Sequence, residues 1–167
     1  MIGATDPDLV DRFRSTMARL PGGITVVALR HGRLDVAMTA TAVASVSLRP
    51  PMVLFCVHSD ARVRDSLDEV DTWAVSILDA GGTLAAERLA EPGRPAFGQL
   101  LGIDHHRGAR TGAALMDAAQ GWLECRTSWI KTAGDHDVVV GEVLDAWTGS
   151  TGTGGLVHHL GRVRPLT

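Results

Sequence analysis

Apolar residues open the chain at helical spacing. Leu9, Val10, Phe13, Met17 and Leu20 fall on one face of a helix. Asp6 is placed to cap it and Pro7 suits its first position, while Pro21-Gly22-Gly23 ends it. The spacing then changes to short β-branched runs. Ile24 to Leu29 predicts a strand, His31-Gly32 a turn, and Leu34 to Leu48 a second extended stretch. Pro50-Pro51 forces an extended break. Met52 to Val57 is almost wholly apolar, which predicts a strand buried on both faces. Val63, Leu67 and Val70 share a face and predict a short helix within 60–70. Trp73 to Leu78 reads as a strand, and Gly82 to Ala90 as a helix stopped by Glu91-Pro92-Gly93.

Residues 92–112 carry few periodic apolar positions and read as a long loop, with Phe97, Leu100 and Leu101 expected to tuck inward. The last third returns to strands. Trp122 to Lys131 and Val138 to Trp147 flank a turn at Thr132 to Asp135, and Leu156 to Val163 follows as one more strand. The order of helix, strands, central helices and strands is too irregular for a doubly wound α/β sheet. It predicts a mainly β (α+β) fold, a closed antiparallel split β-barrel with a few peripheral helices. No linker or internal repeat interrupts the chain, so residues 1–167 read as a single domain.

Composition narrows the function classes. The formal net charge is -3 and the pI about 6.1. Neither nucleic acid nor an anionic membrane is expected as a partner, because both select a basic surface. No apolar run approaches the roughly 20 residues of a membrane span. The opening DPDLVDRF does not read as a secretory signal. Cys56 and Cys125 sit in apolar runs without metal-type spacing, which fits buried thiols in a reducing cytoplasm. Aromatic residues are only 4 %, so the core must be built from Val, Leu, Ile and Ala.

Several chemistries lack their motifs. There is no G-x-G-x-x-G after a strand, no P-loop and no G-x-S-x-G elbow. The glycine-rich TGTGG at 151–155 precedes a strand, which weakens a phosphate-binding reading. The histidine pairs His105-His106 and His158-His159 are adjacent in extended segments and point to opposite faces, so no metal site is expected.

The informative stretch is MTATAVASVSLRPP at 38–51. Its small, mildly polar residues let a flat ligand lie against the main chain. On composition alone an edge strand with a turn is the favoured reading. However, MTATAVASVSLRPPMVLFCV resembles the signature of the flavin reductase family, the small components that supply reduced flavin to two-component monooxygenases. FRSTMARLPGGITVVA, WAVSIL, RPAFG, WLECR, GDHDVVVGEV and LVHHLGR follow in the family's order, over roughly residues 11–164.

The resemblance implies an FMN-binding split barrel, usually a homodimer, with FMN or FAD held near the subunit interface and NADH or NADPH as hydride donor. By position, Thr39, Ala40, Thr41 and Ala42 would line the edge of the flavin ring, with Ser45 and Val46 nearby. His58, Ser59, Asp60, Ala61, Arg62 and Arg64 would lie along the ribityl chain and phosphate. Phe97 would sit near the distal part of the flavin and His159 at another polar position. His136 would meet the nicotinamide and is the candidate catalytic residue. A flavin-dependent monooxygenase, reached by diffusion of reduced flavin, is the implied partner.

The chain departs from the family pattern at the phosphate segment, HSDARVRDS. Ala61 stands where the family usually has serine, and Val63 where it has threonine. Ala42 and Val163 also replace the usual serine and aromatic residue. A lost hydrogen bond to a charged phosphate costs roughly 1.5–3 kcal/mol. Arg62, Arg64 and Ser59 are the expected substitutes. The alternative is a split-barrel protein of the same family put to flavin-independent biosynthetic work or small-molecule binding.

Overall fold

The computed structural model describes residues 6–149 and 154–166. Part of the TGTGG stretch, 151–153, lies outside the described residues. The first helix, α1 (Pro7–Met17), forms as its pattern predicts, and the Asp6 carboxylate accepts the Asp8 N–H at 3.0 Å. Its apolar stripe is bare: Leu9, Phe13, Met17 and Leu20 are all exposed, Phe13 to 61 %.

The strands are β1 (Gly22–Gly23), β2 (Thr25–His31), β3 (Leu34–Ala40), β4 (Val43–Leu48) and β5 (Pro51–His58). Helix α2 (Arg62–Ser66) and β6 (Thr72–Leu78) follow, then α3 (Thr83–Ala90). The chain continues through β7 (His105–Arg107), β8 (Ala114–Met116), β9 (Ala119–Ala133) and β10 (His136–Thr148). It ends in β11 (Leu156–His159) and β12 (Arg162–Pro165). Three expectations change. The stretch 34–48 is two strands, because Thr41-Ala42 form a bend. The strand expected over 156–163 is a hairpin, because Leu160 (φ 52) and Gly161 (φ 72) turn it. The 92–112 loop contains β7, which pairs with β8.

Seven strands form one antiparallel sheet in the order β3-β2-β6-β9-β10-β5-β4. A smaller sheet runs β1-β11-β12. The large sheet curls, but among the described residues no ladder closes it, which corrects the expected closed barrel at the level of the hydrogen bonds. The edge main chain of β3 is already engaged. The Ala37 N–H donates to Gln99 Oε1 at 3.1 Å, and the Ala37 carbonyl accepts from Arg94 Nη2 at 3.0 Å. The two ends of the sheet still share one interior: Val36 and Ala40 of β3 pack with Val53, Phe55 and Val57 of β5 around Trp73.

The strand buried on both faces is β2, not β5. Val27 and Leu29 face this interior, while Val26 and Ala28 face a second core under α3 with Leu78, Ala86, Leu89 and Met116. In β5 burial alternates, with Met52, Leu54 and Cys56 only half covered. Most of the core is Val, Leu, Ile and Ala, as composition requires. One charge is fully buried. Glu124 accepts the N–H groups of Arg110 and Thr111 and the Thr111 hydroxyl, at 2.7–3.2 Å. This satisfies the carboxylate and pins the loop before β8. Among the described residues no helix is long and apolar enough to cross a membrane.

Candidate functional site

The bend at Thr41-Ala42 is the centre of the site. Three depressions meet along the end of β3, and neighbours share lining residues. The first is a cleft of about 650 Å³ between α2 and the segment after α3, lined by Met38, Thr39, His58, Ala61, Arg62 and Arg94 among others. The second, about 440 Å³, shares Thr39 and Ala90 with it and adds Thr41, Ala86 and His158. The third, about 640 Å³, shares Thr41 and His158 and reaches Ala42 and the bare face of α1 at Phe13 and Met17. Together they make a trough with small side chains along its middle.

Thr39 lies within this trough, although its hydroxyl donates to the Ala86 carbonyl at 2.7 Å and so ties β3 to α3. Ala40 points into the core, with its carbonyl accepting from the Thr25 hydroxyl at 2.8 Å. Ser45 lies on a different surface, an apolar groove over β4, β5 and β6 that also takes in Leu48, Met52 and Ile77. Val46 is exposed at the β4 bulge between Ser45 and Ser47.

The phosphate segment divides. His58, Asp60, Ala61 and Arg62 line the cleft. Ser59 and Arg64 do not. Arg64 is held between Asp137 and Asp68, and the Ser59 hydroxyl lies 3.4 Å from Asp137. Asp137 is buried, and the Arg64 guanidinium beside it, helped by Thr132 and Ser59, keeps its carboxyl below the ordinary carboxylate value. Ser59 and Arg64 therefore do not replace the missing hydroxyls. Val63 is 2 % exposed and packs with Leu67, so its absent hydroxyl is no cleft-facing donor. The departure that bears on the cleft is Ala61, which stands as the N-cap of α2 without a side-chain bond.

Arg62 is tied across the cleft, donating to the Pro95 and Arg94 carbonyls, each at 3.1 Å. Arg94 carries a signal that the sequence pattern did not single out. It lines the cleft, and its Nε is buried with no partner among the described residues. Burial and the neighbouring Arg62 charge push its guanidinium down from its ordinary value. Asp60, Asp65 and Glu91 also line the cleft, so its charge is mixed, and the feature that fits a phosphate-bearing ligand is the unpartnered Arg94 Nε donor.

Phe97 is not tucked inward. It is 76 % exposed, in a separate depression of about 520 Å³ with Leu34, Asp35 and Leu101. Leu101 is 77 % exposed, and only Leu100 of the expected trio is buried. The glycines at 98 (φ +68) and 102 (φ +74) turn the chain so that these side chains face out. In the last hairpin the trough takes His158, and β-strand alternation sends His159 to the other face. His136 opens β10 directly opposite His58 in β5. Its Nδ1 lies 2.7 Å from the Asp135 carboxylate, and the two imidazole centroids are 5.3 Å apart at 71°.

These features define a β-sheet protein with a trough that runs from the bare face of α1 to a cleft holding Arg62 and Arg94. The flavin reductase like domain matches residues 17–167, and the chain belongs to that family. It is 38 % identical to an NADH-dependent FAD reductase of Streptomyces globisporus, over 84 % of this chain and 78 % of the relative. It is 34 % identical to the actinorhodin polyketide dimerase of Streptomyces coelicolor, over 78 % of this chain and 72 % of that one. Among solved structures it resembles BorF, the flavin reductase component of a bacterial two-component tryptophan halogenase. That likeness has a TM-score of 0.87 at 37 % identity and covers 94 % of this chain and 98 % of the other. It also resembles the Streptomyces globisporus NADH:FAD oxidoreductase in complex with NAD and FAD fragments. Here the TM-score is 0.88 at 34 % identity, over 98 % of this chain and 96 % of that one.

Proposed function

We propose that this protein, acting as one domain over residues 1–167, is an NADH- or NADPH-dependent flavin reductase that supplies reduced FMN or FAD to a monooxygenase partner. The observation that carries the reading is the coincidence of the family match over 17–167 with a trough that has Thr39, Thr41, Ala86 and Ala90 along its middle and the orphaned Arg94 Nε at its end. The bound flavin would supply the two-electron chemistry, with the nicotinamide as donor. The chain's own work is positioning. The main chain of 39–42 offers donors and acceptors to the ring edge, and Thr39, anchored to α3, keeps that strand in place. Arg62 and Arg94 hold the phosphate end. His136, oriented by Asp135, faces the incoming nicotinamide.

A homodimer completes the reading. The bare stripe of Phe13, Met17 and Leu20 adjoins the trough, and the apolar groove over β4 and β5 lies beside it, with Gly23 and Val43 lining both. A second copy covering these surfaces would bury the stripe and wall the trough. The shared core of β3 and β5 supports a split barrel closed by side chains across the open seam. Both cysteines are free, and burial pushes the Cys125 thiol up to about 12, so neither argues against a reducing cytoplasm.

Titration with FMN and FAD, followed by an NADH-oxidation assay, tests the proposal. Saturable binding and strictly flavin-dependent oxidation are expected. Absence of either overturns it. One observation favours a second reading: Ala61 leaves the cap of α2 without a hydroxyl. Failure to bind flavin at high micromolar concentration would turn the assignment to a flavin-independent member of the family.

A further inference from the structure

The chain has seven histidines, and five have a ring nitrogen bonded within it: His31 to Glu69, His58 to the Asp60 N–H, His105 to the Ile103 carbonyl, His106 to Asp117 and His136 to Asp135. Among the described residues the rings of His158 and His159 have no such bond, and both are half-buried. A half-buried imidazole without a partner is an unused hydrogen-bonding group held in a fixed place. Strand alternation sends the two to opposite faces, and it is His158 that enters the trough. The fold sets its position from three sides. His158 pairs across strands with Gly22 of β1 and with Val163 of β12. Gly22 puts no side chain on that face, and a Cβ there would stand 3.3 Å from Thr41 Cβ, so Thr41 closes up beside the position opposite the histidine. The Leu160 N–H donates to the Ala18 carbonyl at 2.8 Å and fastens the hairpin to the end of α1.

Among the described residues only Thr41 and His158 line both the second and the third depression. The other charged or titratable side chains there are Glu87 in the second and Arg14 in the third, and both are exposed. His158 is therefore the half-buried titratable group at the middle of the trough. Hydride transfer breaks the nicotinamide C4–H bond, forms an N–H bond at flavin N5, and leaves the donor ring cationic and the flavin with one negative charge, spread over its N1–C2=O edge. A hydrogen-bond donor at that edge holds the reduced ring more strongly than the oxidised one, and such a difference lowers the barrier to its formation. We propose that His158 is a catalytic residue of this kind, donating a hydrogen bond beside Thr41 to the edge where the negative charge collects. The inference rests on the reductase reading. It gives the trough a group that answers to the oxidation state of its guest, distinct from the residues that hold the phosphate end.

Affinity for the two oxidation states separates this role from a structural one, without reference to turnover. Dissociation constants for FMN, and for dithionite-reduced FMN under anaerobic conditions, are measured on the wild type and on His158→Ala, His158→Phe and His158→Gln. In His158→Ala and in His158→Phe, which keeps the volume but not the donor, reduced FMN is expected to bind about tenfold more weakly or worse, while oxidised FMN changes by less than about twofold. The midpoint potential of the bound flavin then falls by about 30 mV for each tenfold change, the value for a two-electron couple. His158→Gln, which keeps an N–H, is expected to stay within roughly threefold of the wild type for both forms. Equal weakening of the two oxidation states in the Ala and Phe variants, no change in either, or a Gln variant that behaves as Ala overturns the proposal. So does loss of the preference in Arg14→Gln but not in His158→Ala, because the charge would then be met from α1. A wild type that binds neither form and shows no flavin-dependent NADH oxidation sinks the reductase reading itself. A wild type that does both, with variants that leave the ratio of affinities unchanged, sinks only this inference.

Discussion

Single residues decide how tightly the phosphate end is held. Position 61 is the cap of α2 and lines the cleft, whereas position 63 is sealed in the core. Ala61→Ser should therefore tighten FMN binding about tenfold and leave riboflavin unchanged, since one hydrogen bond to a charged phosphate is worth roughly 1.5–3 kcal/mol. Fluorescence titration of the two flavins checks it, and equal changes would place the phosphate elsewhere. Asp137 supports the same wall by holding Arg64. Its carboxyl is lowered in the folded protein, so it adds stability above the ordinary carboxylate value, near 3.9, and that stability is lost as pH falls through the lowered value. Asp137→Asn should melt at a lower temperature at pH 7 and show a flatter decline between pH 5 and 3. Thermal melts across that range measure both. Ala61 stands out in the sequence only against the family's usual serine, and Arg64 reads there as a phosphate ligand because a guanidinium's partner across strands leaves no mark on local spacing. Arg94 was missed for the same reason: an orphaned nitrogen is a property of packing.

At the scale of elements, β3 is an edge strand made safe by side chains. Gln99 and Arg94 supply to Ala37 the acceptor and donor that a neighbouring strand would offer. Gln99 is buried, and its own Nε2 donates to the Pro95 carbonyl at 3.1 Å. Gln99→Ala would strand the Ala37 N–H, at a cost of about 1–3 kcal/mol, and would loosen the segment that roofs the cleft. Urea denaturation should show a lower midpoint at unchanged slope, and an unchanged midpoint would mean that water substitutes. Most strands and all three helices were legible from apolar periodicity. The break at Thr41-Ala42 was not, because small residues of one chemical type carry no phase signal. The turn at Leu160 was also hidden, since leucine rarely adopts positive φ. Phe97 misled because apolar character alone predicts burial, while the backbone glycines around it decide direction.

For the whole molecule, the uncovered stripe of α1 is the largest departure from what an isolated chain needs. Phe13, Met17 and Leu20 cannot have been selected for a core they do not enter. Phe13→Asp is expected to convert a dimer to a monomer in light scattering coupled to size exclusion, and to weaken flavin binding because one wall of the trough opens. A monomeric wild type would remove the dimer from the proposal without touching the reductase reading. The amphipathic pattern of this helix was plain in the sequence, but its partner was not, because periodicity reports that a face is apolar and not what covers it.

The bend at Thr41-Ala42 has a mechanical meaning. The strands it joins are the opposite borders of one seven-stranded sheet, so two residues are all the chain that crosses the seam between them. Ala40 and Val43 can stand no more than about 11 Å apart. Whatever occupies the trough lies against a tether of fixed length. Substitutions that soften the core can change how often the molecule breathes, but they cannot widen that gap beyond what the covalent chain permits. The size of the guest is gauged by peptide bonds, and the tolerance of the site should outlast a good deal of erosion elsewhere in the protein.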